Sequence, residues 1–218
     1  MLENIAIFFM LAQSPTGLID ELKGHRVTVE SVEYRGRKAA RVTPKDAVGA
    51  ATNTSEDQLA ILSGGPAFHN GVIDVDVAGR PGAGAAQAAR GFVGVAFRVA
   101  SDLKKFECFY LRPTNGRADD QVRRNHSSQY ISFPEFPWER LRKEFPSMYE
   151  SYVDLVPGEW TRVRIVVDGA KAKLYVHGSE QPALVVNDLK HGDSQGAMGL
   201  WIGPGTEAHF AGLKITAR

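Results

Sequence analysis

Hydrophobic and polar residues alternate with a period of two along most of this chain. In the stretch VIDVDVA, the side chains of Ile73, Val75 and Val77 alternate with those of Asp74 and Asp76. Successive side chains of a β-strand point to opposite faces, so this alternation is typical of a strand with one buried face. Glycine and proline bound the runs and indicate turns between them. The pattern predicts strands at residues 27–34, 39–43, 59–62, 72–78, 92–99, 106–112, 129–133, 160–167, 172–177, 184–186, 197–202 and 209–215.

One segment follows the helical period instead. Trp138, Leu141 and Phe145 lie at positions i, i+3 and i+7, with Pro137 placed to begin a helix and Pro146 to end it. This spacing predicts a short amphipathic helix whose apolar side docks on the rest of the fold. The chain shows no strand–helix–strand spacing, no long internal repeat and no linker that would divide it. We therefore predict an all-β fold, an antiparallel two-sheet sandwich with one short helix in a long loop insertion.

The N-terminal residues carry an apolar run at 5–12 that is followed by the residues QSP. This order is typical of the end of a secretory signal, although the preceding residues contain Glu3 and no basic residue. The run is far too short to cross a bilayer, so no membrane span is predicted. We expect residues 1–15 to be either a signal remnant or a terminal strand, residues 16–218 to form a single domain, and the protein to be secreted or periplasmic.

Charge and cysteine content exclude several classes of protein. The chain has 26 Lys and Arg residues and 25 Asp and Glu residues, so no overall field favours nucleic acid as a partner. The arginines at 117, 123 and 124 are offset by the acids at 119 and 120, which indicates salt bridges within a loop rather than a nucleic-acid surface. The single cysteine, Cys108, excludes an intrachain disulfide and is expected to be a packed strand residue.

The segment WTRVRIVVDGAKAKLYVHG, from Trp160 to Gly178, contains two alternating strands around an Asp168-Gly169 turn. It resembles the strand–turn–strand signature of the concanavalin A-like lectin and glucanase superfamily of jelly rolls, and of laminin G-like domains in particular. The residues at 196–215 resemble the closing strands of the same families, and the chain is also similar to 3-keto-disaccharide hydrolase-like domains of bacterial secreted proteins. The resemblance implies a single jelly-roll domain, a fold that serves lectins, glycan hydrolases and adhesion modules alike.

A ligand site is predicted from the strand positions opposite the valine-rich core side. Tyr110 and Trp201 fall there and are able to stack on a sugar ring, while the charged residues beside them are able to bind its hydroxyls. The long insertion at 113–130 mixes acids, arginines, amides and a histidine, which is typical of a binding loop. We therefore predict carbohydrate binding on a concave sheet face and this loop by Asp74, Asp76, Arg98, Tyr110, Arg112, Asn115, Asp120, Arg124, His126, Tyr130 and Trp201.

Two other functions stay open on the sequence alone. A glycan-processing hydrolase or lyase would use Asp74 with Asp76, or Asp120 with His126, as its catalytic pair. Residues i and i+2 of a strand lie about 7 Å apart, within the range that glycosidases use for their two carboxyl groups. A protein–protein adhesion module, as laminin G-like domains often are, would instead expose an apolar patch.

Metal and cofactor sites leave no clear pattern in the chain. No HExxH motif and no paired-histidine spacing occurs, so no metal site and no cofactor is predicted. Calcium is common in jelly rolls of the kind that the chain resembles, so structural calcium stays open, although no clustered Asp/Asn loop demands it. The sequence names neither the saccharide nor the oligomeric state.

Overall fold

The structure, a computed structural model, describes residues 21–45 and 57–218. The signal remnant or terminal strand predicted at 1–15 lies outside the described residues. The strands are β1 (Leu22–His25), β2 (Val27–Tyr34), β3 (Arg37–Pro44), β4 (Leu59–Leu62), β5 (Gly71–Pro81), β6 (Val93–Val99), β7 (Phe106–Leu111), β8 (Ser128–Phe133), β9 (Glu150–Ser151), β10 (Thr161–Asp168), β11 (Lys171–Val176), β12 (Leu184–Val186), β13 (Ala197–Ile202) and β14 (Thr206–Ala217). The helical segments are a 3₁₀ turn at Pro113–Asn115, α1 (Gln121–Asn125) and α2 (Trp138–Glu144).

The strands form two antiparallel sheets of seven strands each. The first sheet has the order β1-β4-β13-β6-β7-β8-β9, and the second has the order β12-β11-β10-β5-β14-β3-β2. The predicted antiparallel two-sheet sandwich is confirmed, and the helix predicted from the spacing of Trp138, Leu141 and Phe145 is α2. Two short strands, β1 and β9, and the single helical turn α1 were not predicted, because segments of two to five residues are too short to show a period.

The hydrophobic core lies between the sheets. Ile73, Val75 and Val77 of β5 are buried, as the alternation predicts. Where β5 passes the chain that enters β6, a Cβ atom on Gly79 would lie 2.4 Å from the carbonyl oxygen of Gly91 and 2.7 Å from Cγ1 of Val93. The packing at this crossing therefore has room only for glycine. Cys108 is buried in β7.

The two sheets differ on their outer faces. In β10 of the second sheet the residues alternate between buried and exposed, with Arg162 and Arg164 in solvent. In the first sheet every residue of β6 and of β7 is buried, so the outer face of these strands is covered as well as the inner one. The helix α2 contributes to that cover at the β8 edge, where Leu141 is fully buried. Within residues 21–45 and 57–218, no helix is long and apolar enough to cross a membrane.

Candidate functional site

The predicted ligand residues do not share one face of the sandwich. Asp74 and Asp76 lie on β5 in the second sheet, whereas Tyr110 and Trp201 lie on β7 and β13 in the first sheet. Alternation tells which residues of a strand share a face, but it does not tell which sheet the strand joins. The prediction of one face that carries all these side chains is therefore wrong.

Asp74 and Asp76 lie on the solvent side of the second sheet, and each pairs with an arginine of the same sheet, Asp74 with one on the adjacent strand β10 and Asp76 with one on β3, two strands away. Nε of Arg164 lies 2.7 Å from Oδ1 of Asp74, and Nη2 of Arg37 lies 2.8 Å from Oδ2 of Asp76. Cross-strand ion pairs on an exposed sheet face are structural contacts of modest energy. Both carboxylates are thus engaged within the second sheet, on the opposite side of the sandwich from the outer face of β7 and β8.

Arg98, which is predicted to bind ligand, is instead buried and connects β6 of the first sheet to segments next to strands of the second sheet by hydrogen bonds. Its φ angle is 55°, and it lies where the pairing of β6 with β13 is interrupted by a bulge, which re-aims a side chain. The side chain is 0% exposed, and the guanidinium donates to the carbonyl oxygens of His69, Gly169 and Gly192, each at 2.8 Å. An arginine enclosed in this way cannot face a ligand on an open sheet surface, so the predicted placement of Arg98 is wrong.

Three further predicted residues make contacts within the fold. Asp120 caps α1 and accepts a hydrogen bond of 3.0 Å from a backbone N–H of that helix. Arg124 donates to the hydroxyl oxygen of Tyr152 at 2.9 Å. Tyr130 points to the inner side of β8, where its hydroxyl donates to Glu107 at 2.6 Å. Burial is the main reason that the pKa of Tyr130 is raised well above its ordinary value.

A row of cross-strand neighbours runs over the outer face of the first sheet. Along it, the paired residues are Trp201, Gly94, Tyr110, Gln129 and Glu150. Because Gly94 has no side chain, the rings of Tyr110 and Trp201 meet there, with centroids 4.7 Å apart. The strand register therefore brings together aromatic and polar side chains that the sequence keeps far apart.

Around this row lies a group of side chains that we call the Arg112–Glu150 cluster. Arg112 follows β7, is 4% exposed at its side chain, and is held by three acceptors. Its guanidinium donates to the Tyr110 hydroxyl at 2.8 Å, the His126 carbonyl at 2.9 Å and Oε1 of Gln129 at 3.2 Å. Three aromatic rings of the cluster lie between 5.1 and 5.5 Å from its Cζ atom. The cluster consists of Phe92, Tyr110, Arg112, His126, Gln129, Trp138, Arg142 and Glu150.

Glu150 is the carboxylate of the cluster, and its side chain is 4% exposed. Nη2 of Arg142 lies 2.7 Å from its Oε2, Nε2 of His126 lies 3.1 Å from its Oε1, and Nη1 of Arg112 lies 3.9 Å from its Oε2. Burial is the largest influence on the pKa of His126 and lowers it; Glu150 raises this pKa, and the two arginines lower it further. The imidazole is therefore neutral at pH 7.

The cluster reaches solvent at one end. The side chain of Arg142 is 32% exposed and that of His126 is 20% exposed, while the rings of Phe92 and Trp138 are half-buried. The Arg142 guanidinium stacks over the Trp138 ring, with Cζ 4.6 Å from the centroid. This end combines apolar ring surface with a few fixed hydrogen-bonding groups, as ligand sites commonly do.

Five of the predicted ligand residues converge at or beside this cluster. They are Tyr110, Arg112, Asn115, His126 and Trp201. Asn115 donates to the His126 carbonyl oxygen at 3.3 Å, and Trp201 lies below Tyr110 with 1% of its surface exposed. Their role in ligand binding stays a prediction.

Several members of the cluster were not predicted. The partner of His126 is Glu150 rather than Asp120, and Glu150 lies in a strand of two residues, which shows no period. One usable signal was present, because Trp138 and Arg142 are four residues apart and so share one side of a helix. The other members that the sequence reasoning missed are Phe92 and Gln129.

The part of the chain that the structure describes contains no candidate metal site. No group of three or more His, Cys, Asp or Glu side chains there is arranged to hold an ion.

Solved structures of other proteins resemble this chain in fold. No protein-family model and no curated protein matches the chain. The carbohydrate-binding module CBM66 from Bacillus subtilis aligns over 90% of this chain and 96% of its own length, with a TM-score of 0.53 and 12% identity. A protein of unknown function with a galectin-like fold, also from Bacillus subtilis, aligns over 91% of this chain and 90% of its own length, with a TM-score of 0.56 and 9% identity.

Proposed function

We propose that this concanavalin A-like jelly roll is a carbohydrate-binding module whose ligand site is the solvent end of the Arg112–Glu150 cluster. One observation carries the proposal: half-exposed rings and buried, hydrogen-bonded ionic groups lie together on the outer face of one sheet. The aligned CBM66 structure is named a carbohydrate-binding module, which supports this class of ligand.

The cluster has the physical properties that saccharide recognition requires. A sugar ring offers apolar C–H surface and several hydroxyl groups, so it needs ring surface and fixed polar partners together. Phe92 and Trp138 offer the ring surface. Arg142 and His126 offer polar groups whose positions are fixed by Glu150. Fixed partners lose little conformational entropy when a ligand binds, which favours affinity.

The proposal is tested by glycan-array screening and then by calorimetry with the best saccharide. We expect Trp138→Ala to weaken binding by about tenfold or more, because the ring contact is lost.

The second sheet provides a matched control. Trp160 is also half-buried, and Arg37 stacks over its ring at 4.9 Å, as Arg142 stacks over Trp138 at 4.6 Å. Trp160→Ala should therefore leave the affinity unchanged. If Trp160→Ala weakens binding and Trp138→Ala does not, the site lies on the other sheet; if no saccharide binds, the proposal fails.

The contact between His126 and Glu150 supports a second candidate function, a glycan-processing hydrolase or lyase. A neutral histidine whose second nitrogen is held by a carboxylate is a common general base, and Nε2 of His126 lies 3.1 Å from Oε1 of Glu150. Under this proposal His126 accepts the proton and Glu150 orients the imidazole. Product release from a panel of oligosaccharides should then be lost in His126→Gln and kept in Asp120→Asn. Binding without any product release would exclude this candidate.

A further inference from the structure

The Arg112–Glu150 cluster contains more positive than negative charge. Two guanidinium groups, of Arg112 and Arg142, share the carboxylate of Glu150. His126 adds no compensating charge, because its imidazole is neutral or, when protonated, positive. The cluster itself therefore carries an excess of one positive charge at pH 7.

Two more arginines lie along the adjacent rim. Nη2 of Arg123 lies 3.4 Å from Oδ1 of Asn115. The Asn115 amide in turn donates to the carbonyl oxygen of His126, as Arg112 does. Arg123 and Arg90 both contact Thr114: Nη2 of Arg123 donates to the Thr114 carbonyl oxygen at 3.4 Å, and the Thr114 backbone N–H donates to the Arg90 carbonyl oxygen at 3.4 Å. Within the described residues, no carboxylate forms an ion pair with Arg90 or Arg123.

The nearby acids do not cancel this excess. Asp119 and Asp120 directly precede α1, and Asp120 caps it; the last turn of the same helix carries Arg123 and Arg124, so these two acids are matched by two arginines. Asp154 is engaged by Arg117 at 2.8 Å. Asp119, Asp120 and Asp154 thus equal Arg117, Arg123 and Arg124 in number, and Arg90 adds one further positive charge at the rim to the excess of the cluster.

Some of the positive groups retain hydrogen-bonding capacity. Arg142 uses Nε and Nη2 on Glu150, and its Nη1 donates to no side chain or carbonyl in the described part of the chain. Nε of Arg123 is buried without a hydrogen-bond partner among the described residues. Partly buried positive charge and unpaired donors are costly unless an anion meets them.

We infer that the saccharide bound at this site carries an anionic substituent, a carboxylate or a sulfate. This inference rests on the proposed carbohydrate-binding function and specifies its ligand. The sugar ring lies against Phe92 and Trp138, and its anionic group accepts hydrogen bonds from Arg142. Charge-assisted hydrogen bonds of this kind are shorter and stronger than those to neutral hydroxyls.

The inference is tested with pairs of oligosaccharides that differ only in the charged group. Galactose oligomers are compared with galacturonate oligomers, glucose oligomers with glucuronate oligomers, and unsulfated with sulfated galactans. Calorimetry is done on the full chain at low and at moderate salt. We expect the anionic member of at least one pair to bind about tenfold more tightly at low salt, with a preference that falls as salt screens the charge. A preference in the uronate pairs assigns a carboxylate, and one in the sulfated pair assigns a sulfate.

A matched pair of variants tests whether the preference for anionic saccharides arises at the Arg112–Glu150 cluster. Arg142→Gln should bring the affinities of the two members within about twofold of each other, since the charge-assisted contact is lost. Arg37→Gln on the second sheet should leave the preference unchanged. Arg37 is the matched control because it too pairs with a carboxylate, at 2.8 Å, and stacks on a tryptophan.

The outcomes separate this inference from the proposed function. If neutral members bind as tightly as anionic members at low salt, the inference is wrong while carbohydrate binding stands. If the preference is present but survives Arg142→Gln, the assignment of the anion to this cluster is wrong. If no member of any pair binds, the proposed function fails and the inference fails with it. The salt dependence of the unmodified chain gives a result even if Arg142→Gln does not fold.

Discussion

Glu150 is the residue on which the arrangement of the candidate site depends. Its carboxylate is within 4 Å of the side chains of Arg112, His126 and Arg142, at 3.9, 3.1 and 2.7 Å. A buried carboxylate fixes the positions of the two guanidinium groups that it contacts. Its negative charge also compensates their positive charges, so burial of these groups is costly without it. The geometry of the cluster and the stability of the fold are therefore linked at this position.

Replacing Glu150 by glutamine should destabilise the protein. Removing the charge leaves Arg112, 4% exposed, without its carboxylate, and we expect the free energy of unfolding to fall by about 2–4 kcal/mol. Urea unfolding measures this change. The control is Asp76→Asn, because Asp76 pairs with exposed arginines on the second sheet; its loss should stay below about 1 kcal/mol. Equal losses in the two variants would contradict this account of the cluster.

His209 provides a second residue-scale prediction, on the outer face of the second sheet. Its ring stacks on Tyr34 with centroids 3.6 Å apart and is 3% exposed. Burial, the largest influence, lowers the pKa of His209 to about 4; Glu207 raises this pKa, while Arg41 and Arg80 lower it. The folded state therefore resists protonation in a pH range where the unfolded chain, with a histidine pKa of about 6.5, takes up a proton.

The sign of the effect follows from proton uptake. Between pH 6.5 and pH 4 the unfolded state binds more protons, so stability is present above this window and is lost as the pH falls through it. From pH 7 to pH 4 the free energy of unfolding should fall by about 2–3 kcal/mol more in the unmodified protein than in His209→Gln. An NMR titration of the imidazole checks the cause directly, and a folded-state pKa near 6.5 would contradict it.

At the scale of elements, Arg98 joins segments that the strand order keeps apart. It lies at the bulge of β6 and donates to carbonyl oxygens of the β10–β11 turn at Gly169, of the segment before β5 at His69, and of the loop after β12 at Gly192. The loop after β12 is also held by Glu107, which accepts a hydrogen bond of 2.9 Å from the backbone N–H of His191. The end of the sandwich is thus closed by two buried charged residues.

Arg98→Met should therefore be strongly destabilising. The substitution keeps an unbranched apolar stem but removes the guanidinium, which leaves several buried carbonyl oxygens without donors, and we expect a loss of about 3–5 kcal/mol in urea unfolding. Arg162→Met is the control, because the Arg162 side chain is 71% exposed; its effect should stay within about 0.5 kcal/mol. Similar effects of the two substitutions would show that the contacts of Arg98 do not stabilise the fold.

The sequence predicted most strands but not their assignment to sheets. Alternation located β5, β6 and β7, and the antiparallel two-sheet sandwich that the resemblance of residues 160–178 implies is confirmed by the fold. Alternation placed Asp74 beside Arg112 only because each residue lies on the opposite face of its strand from a row of core residues. A period of two carries no information about which strands are neighbours in a sheet. Glu150 was not predicted because β9 has only two residues and therefore shows no period. The direction of the Arg98 side chain was predicted wrongly because a β-bulge interrupts the alternation there.

At the scale of the whole molecule, the two outer faces of the sandwich have different characters. In the second sheet, β10 alternates between buried and exposed residues, and its outward arginines form cross-strand ion pairs with the aspartates of β5. The first sheet is buried on both faces of β6 and β7, and its outer face carries the Arg112–Glu150 cluster, with the α2 residues Trp138 and Arg142 at its edge. We therefore place the proposed ligand site at the partly open, ionic and aromatic end of this covered face.

The three tryptophans of the chain allow the central claim to be measured in one experiment. Each indole N–H gives a separate signal in a ¹⁵N–¹H correlation spectrum, and Trp138 lies in the cluster, Trp201 beneath it and Trp160 on the opposite sheet. During titration with the saccharide that binds most tightly, the Trp138 signal should shift with ligand concentration while the Trp160 signal stays in place. A shift of the Trp160 signal with an unchanged Trp138 signal would contradict the assignment of the site to the Arg112–Glu150 cluster.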